Sequence, residues 1–173
     1  MAQNFESTSG ATDANSYCTV AEADQYIENR YGSGTTYTTW SALTTAQKQE
    51  YLILACDYIE QKYSNRWNTG ARQTSDQRLS WPRNDAYYYE ETNYFNIGGV
   101  PLEVKEGQIE AAVLLVDGTE TDLLPVYDRQ TKSEKVGSLE VVYMDGSGNL
   151  KTFPKVVGRL RRLLSSGMRV VRG

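Results

Sequence analysis

Thr44-Thr45-Ala46-Gln47 opens the stretch that most constrains this chain. A threonine three residues ahead of a glutamine is a capping box, in which each side chain satisfies the other residue's backbone N–H at a helix start. Behind it, Tyr51, Leu52, Ala55, Cys56, Ile59 and Tyr63 recur on one helical face, and Leu54 and Tyr58 broaden it. The pattern stops near Ser64-Asn65. So wide an apolar face must be covered by other elements, which places this helix at the centre of a core.

Two further helices follow from the same signals. Thr19-Val20-Ala21-Glu22 is a second capping box, followed by Val20, Ala23, Asp24, Ile27 and Tyr31, and stopped by Gly32. Pro101 fits a first helical turn, with Glu103 and Glu106 near it. Val104, Gln108, Ala111, Ala112 and Leu115 then make one face, with Ile109, Val113 and Val116 beside it. Gly32 to Trp40 reads as a loop. Ser138 to Met144 alternates like a strand, Asp145-Gly146-Ser147-Gly148 reads as a turn, and Leu150 to Phe153 as the return strand. Pro154 opens a last short helix, Lys155 to Ser165.

The expected fold is mainly α: a small bundle of three to four helices with a short β-hairpin and extended N- and C-terminal arms. Residues 1–16, polar and small, form a flexible arm. Residues 17–150 form the helical domain, with the hairpin at 138–153, and residues 154–173 form a basic C-terminal segment. Residues 65–99 lack sustained periodicity, and such long loops usually bind something or carry short elements of their own.

Composition narrows the chemistry. There is no histidine, which removes the commonest general base and metal ligand together. Cys18 and Cys56 are too few for a zinc site and read as plain thiols. The glycine pairs at Gly32-Ser33-Gly34 and Gly146-Ser147-Gly148 lack the lysine and flanks of a phosphate loop. The carboxylates read as solvated faces. No enzyme, cofactor or metal is expected. The apolar runs are too short to span a bilayer, and the N-terminus lacks a signal-peptide pattern, which points to a soluble chain.

Charge is uneven. Seven of the 18 basic residues lie in 151–173, which holds none of the 22 acidic ones; the first 150 residues therefore set 11 basic against 22 acidic. A basic end on an acidic body suggests an acidic partner: nucleic acid, a protein surface, or another copy of the chain. The end has two readings. Arg159, Arg161, Arg162 and Arg169 could touch phosphates, or Val156, Val157, Leu160, Leu163 and Leu164 could dock in a groove; a helix packed on its own domain is the plain alternative. The aromatics of 65–99, among them Trp67 and Trp81, could stack bases. Asp85, Glu90 and Glu91 lie among them, which favours an interface or a small core.

Several stretches, taken in order, resemble a known family. They are Asn15-Ser16-Tyr17 with Val20, Ala23, Asp24, Tyr26 and Arg30; Trp40 with Gln47 to Ile59; Gln77-x-Leu79-x-Trp81-Pro82-Arg83; Val100-Pro101-x-Glu103-Val104 with Ala111-Ala112; and Ser133 to Val141. The set is similar to the head–tail adaptor (connector) proteins of tailed phages, whose close members often carry the label DnaT-like single-stranded-DNA-binding protein. That resemblance implies a mainly helical subunit, made in the host cytoplasm, that forms a dodecameric homo-oligomeric ring in the virion neck. The ring sits between a portal protein and a tail or nozzle protein, and genomic DNA passes through it without specific binding; no membrane is involved. The C-terminal segment would engage the portal through Val156, Val157, Arg159, Leu160, Arg162, Leu163, Leu164, Arg169 and Val170. Trp81, Pro82 and Arg83, with Trp67, form a structural clamp or subunit interface: proline holds Trp81 extended, and Arg83 pairs with an acid. The competing expectation is a single-stranded-DNA-binding module that uses the basic C-terminus.

Overall fold

The computed structural model describes residues 4–68, 70–90, 93–124, 133–136, 139–142 and 150–165. It is mainly helical. Both capping boxes form. Thr19 Oγ1 accepts from Glu22 N at 3.1 Å, and Glu22 accepts from Thr19 N at 2.7 Å, opening α1 (Val20–Tyr31). Thr44 and Gln47 make the same exchange at the start of α3 (Thr45–Tyr63). Gly32 ends α1 at φ 48°, in the left-handed region that glycine tolerates.

Between them, Thr35–Ala42 is a helix, α2, where a loop is expected. Its only buried residue is Trp40, whose indole Nε1 donates to Asp24 Oδ1 at 2.7 Å. Lys48 Nζ sits 5.4 Å from the centre of the same ring and 2.9 Å from Asp24. The helix is held by an anchored ring, not by an apolar stripe, so periodicity gives no sign of it.

The centre of the molecule is α4 (Leu102–Val116), not α3. It touches each of α1, α2 and α3, and also α5 (Pro154–Leu160). Its buried residues run right round the helix, from Val104 through Glu110 to Val116, as expected of a helix enclosed by others. Pro101 is the N-cap residue, one position before the first turn. Gly107 permits close approach: a Cβ there would lie 2.9 Å from Leu160 Cδ2 of α5.

Gln108 on α4 is the polar pin of the core. It accepts from Tyr17 N at 2.8 Å and donates to Ser16 Oγ and to Leu52 O, each at 2.8 Å. Gln108→Leu should therefore lower stability by about 1–3 kcal/mol, because it orphans the buried Tyr17 N–H and takes one partner each from Ser16 Oγ and Leu52 O. Chemical denaturation checks this; an unchanged midpoint would contradict it.

The same pin corrects the N-terminal arm. From residue 4 the chain folds back on the domain: Asn15 N and Ser16 N both donate to Glu6 O, and Asn15 Oδ1 accepts from Glu6 N. Ala14 and Ser16 are buried. The short polar side chains that suggest a flexible arm are the ones that close this loop.

Residues 65–99 carry structure of their own. Tyr87–Glu90 (β1) pairs antiparallel with Asn93–Asn96 (β2), and isolated bridges join Trp67 to Leu164 and Arg72 to Arg83. A second hairpin differs in register from expectation. Leu139–Val142 (β4) pairs with Ser133–Val136 (β3), upstream of it, across the two-residue Gly-Ser link, a favoured composition for tight hairpins. The turn expected at 145–148 lies outside the described residues. Leu150 to Phe153 form no return strand. They run along α3 instead: Tyr58 Oη donates to Lys151 O at 2.7 Å, Lys62 Nζ donates to Leu150 O, and the Phe153 ring packs 5.2 Å from that of Tyr58. The last helix, α5, ends at Leu160, five residues before the expected Ser165.

Candidate interaction surface beside the C-terminal helix

The apolar face of the C-terminal segment is interior. Val156, Leu160 and Leu163 are fully buried, and Val157 and Leu164 pack partly buried on the same core. This corrects the docking expectation for those five residues: their own domain, through α4, already occupies the face that would enter a partner's groove. As far as residue 165 the segment packs on the domain. Arg169 and Val170 lie outside the described residues.

The arginines on the other side of α5 meet a carboxylate stripe on α4. Glu103, Glu106 and Glu110 follow one another at helical three- and four-residue steps, so they share a face. Arg159 Nη1 lies 3.1 Å from Glu106 and its Nη2 3.6 Å from Glu110; Arg162 Nη1 lies 3.9 Å from Glu103 and its guanidinium 4.5 Å from the centre of the Tyr88 ring. Tyr88 Oη donates to Glu103. Cations this close to internal carboxylates have largely spent their charge on the fold.

Glu110 is the deepest of the three, 3% exposed. It accepts from Tyr26 Oη and Tyr31 Oη, each at 2.6 Å, and lies 3.9 Å from Arg30. Burial, then the bond to Glu110, pushes both phenols well above their ordinary pKa, so they stay protonated donors. This junction ties α1, α4 and α5 together.

A cleft of about 610 Å³ opens where the β1–β2 hairpin, the start of α4 and α5 meet; Tyr88, Ile97, Val100, Leu102, Glu103 and Arg159 line it. Large apolar side chains stand exposed in its wall and on the adjoining hairpin: Leu102 is 66% exposed, Phe95 50% and Tyr87 45%.

The Trp-Pro-Arg turn sits elsewhere, against the C-terminal half of α3. Ser80 N and Oγ donate to Glu60 Oε2 at 3.1 and 2.9 Å, and Tyr17 Oη donates to Glu60 Oε1. Trp81 is 1% exposed and meets Trp67 edge to face, their centroids 5.7 Å apart. The Trp81–Pro82 peptide is cis. Gln77, buried, donates to Leu79 O at 2.8 Å and Pro82 O at 3.0 Å, and accepts from Thr74 N. Arg83 donates to the main-chain carbonyls of Ser80 and Gly70, and the charge of Glu60 acts on it. Both cysteines are buried, and burial pushes the Cys18 thiol up to about 12.

The structure thus brings Arg159 and Arg162 to one surface with Tyr88, and Trp67, Trp81, Pro82 and Arg83 to another. Charge and periodicity did not single out Glu60, Glu110 or Tyr88 as members of these sites. Their one sequence signal is a polar residue set among buried helical or aromatic positions.

The described residues therefore form a mainly helical domain. The family described as "Putative DnaT-like ssDNA binding protein" matches residues 1–173, and the chain belongs to that family. Comparison with curated proteins and with solved structures finds no match.

Proposed function

We propose that this chain is a structural assembly subunit, specifically a head–tail adaptor that forms a ring below the portal in a tailed-phage neck. The observation that carries assembly is exposed Leu102 in the wall of the cleft, with exposed Phe95 on the adjoining strand, opposite and on the same face as the cleft-lining Tyr88. An apolar and aromatic centre with a charged rim is the anatomy of a protein interface. The two-stranded β1–β2 sheet also leaves strand edges that another chain can extend. The adaptor assignment adds the ordered motif set from Asn15 to Val141. With the leucine face interior, portal contact falls to exposed Arg161 and to residues 166–173, including Arg169 and Val170.

Single-strand DNA binding is the second reading, favoured by the family's description. As first framed, it uses the C-terminal arginines. Arg159 and Arg162, two of those cations, lie against Glu103, Glu106 and Glu110, which weakens that route.

Native mass spectrometry of wild type, Phe95→Ser and Leu102→Glu tests the assembly reading. Both changes fall on exposed side chains and should leave the melting temperature nearly unchanged. Wild type should form high-order oligomers, alone or with portal protein, and each variant should shift toward monomer. Oligomers unaffected by either change would contradict the proposed interface. Wild type that stays monomeric with portal present would contradict assembly itself.

A further inference from the structure

A second cleft, of about 350 Å³, lies behind the Trp-Pro-Arg turn. Three arginines line it, Arg72, Arg78 and Arg83, together with Ser64, Asn65 and Glu60. Among the described residues lining it, Glu60 is the only carboxylate. Its two oxygens already accept from Tyr17 Oη, Ser80 N and Ser80 Oγ.

Arg72 is held differently from the arginines of α5. Arg72 Nη1 donates to Gln77 O at 2.9 Å, and Arg83 donates to Ser80 O at 3.2 Å and to Gly70 O. A carbonyl orients a guanidinium without cancelling its charge; a carboxylate does both. Arg78 is exposed and makes no ion pair within 4 Å among the described residues; Asp57 is the acid that feels its field.

The walls are also fixed in place. Arg72 and Arg83 face each other in an antiparallel bridge, flanked by Gln73 N to Pro82 O at 3.0 Å and Asn84 N to Ala71 O at 2.9 Å. Gly70 makes this approach possible, since a Cβ there would lie 1.8 Å from Asn84 O. Burial pulls the Arg83 pKa below its ordinary value, and the like charge of Arg72 acts in the same direction, while Glu60 opposes it. A rigid, positively charged, polar cleft on an otherwise acidic chain is a preorganised oxyanion site.

We propose that this cleft binds the phosphodiester backbone of a nucleic acid, with Arg78 as the exposed contact and Arg72 and Arg83 as fixed walls. The cleft is far roomier than one carboxylate needs, and three guanidinium forks suit phosphate oxygens better than a single acidic side chain. The proposal goes beyond ring assembly and moves nucleic-acid contact from the C-terminal segment to residues 60–83.

The test is fluorescence anisotropy with labelled oligo(dT) and a labelled duplex, titrated at low and rising salt. The proteins are full-length wild type, Arg78→Gln, Arg72→Gln/Arg78→Gln, and Arg161→Gln on the surface next to α5. Circular dichroism confirms that each is folded. Arg78→Gln should weaken binding about tenfold or more, and the double variant further. The slope of log affinity against log salt should become shallower by roughly one for each arginine lost. Arg161→Gln should change little. Loss on oligo(dT) alone identifies a single strand as ligand, and loss on duplex alone identifies double-stranded DNA; either supports the proposal. Three results overturn it: no binding by wild type at low salt, binding unchanged in the double variant, or loss with Arg161→Gln instead. None of these bears on the assembly reading, which the mass spectrometry tests separately.

Discussion

Trp81→Ala lowers the stability of the fold by roughly 3–5 kcal/mol, the range for removing a large buried aromatic without a replacement. The indole is 1% exposed and packs edge to face on Trp67, which itself lies 6.4 Å from the Tyr63 ring of α3. Truncation removes one ring of this stack and leaves a cavity under the turn that carries Ser80, Pro82 and Arg83. The surroundings cannot collapse easily, because Ser80 is bonded to Glu60, and Gln77 is bonded to Leu79 and Pro82. Among the described residues, neither indole Nε1 of the pair has a hydrogen-bond partner. Trp81→Phe therefore loses no hydrogen bond and should cost clearly less than alanine. Thermal melts of the two variants check this; an alanine variant that melts with wild type would contradict the clamp.

Glu110→Ala is expected to have the next largest effect, roughly 3 kcal/mol. The carboxylate is buried, accepts two phenol hydroxyls at 2.6 Å and lies 3.6 Å from Arg159. Removing it orphans Tyr26 Oη and Tyr31 Oη and takes from Arg159 one of its two carboxylates, Glu106 remaining 3.1 Å away. Arg159 and Arg30 keep side-chain exposures of 27% and 40%, so water takes over part of their solvation, and the loss stays below that of a fully buried pair. Glu110→Gln retains an acceptor for one phenol and should lose about half as much. Urea denaturation of the three proteins measures the order. Equal midpoints for Glu110→Ala and wild type would show that this junction does not hold α1 and α5 to α4.

Much of the helical frame was legible because it is written locally. The capping boxes at Thr19 and Thr44 fix two helix starts, and the face from Tyr51 to Tyr63 fixes a long helix. What failed to show depends on contacts between distant segments. Helix α2 is anchored by Trp40 bonded to Asp24 and by Thr36 bonded to Asp117, and the N-terminal loop closes on Gln108, far along the chain. Strand Leu139–Val142 was visible as alternation, but alternation does not say which neighbour a strand chooses, and the upstream Ser133–Val136 took the place expected for Leu150–Phe153.

The candidate sites divide the same way. Trp81-Pro82-Arg83 stands out in the sequence as a rigid turn with a cation, and the structure gives it both duties, a ring packed into the core and a guanidinium at the edge of a cleft. The basic C-terminus also stands out, but sequence charge does not reveal that Glu103, Glu106 and Glu110 lie within reach of Arg159 and Arg162. Nor does it reveal that Arg72 and Arg78, separated from that segment by a long stretch of chain, gather with Arg83 in one cleft. A charge count locates cations along the chain, and only the fold decides which of them come together.

The central claim is that this chain is a ring-forming assembly subunit that uses the exposed surface beside the β1–β2 hairpin. Cryo-electron microscopy of the full-length chain mixed with its portal protein tests it most directly. A closed ring is expected, with Phe95 and Leu102 between neighbouring copies and residues 161–173 facing the portal. Particles of portal alone, with the chain monomeric in the supernatant, would contradict it.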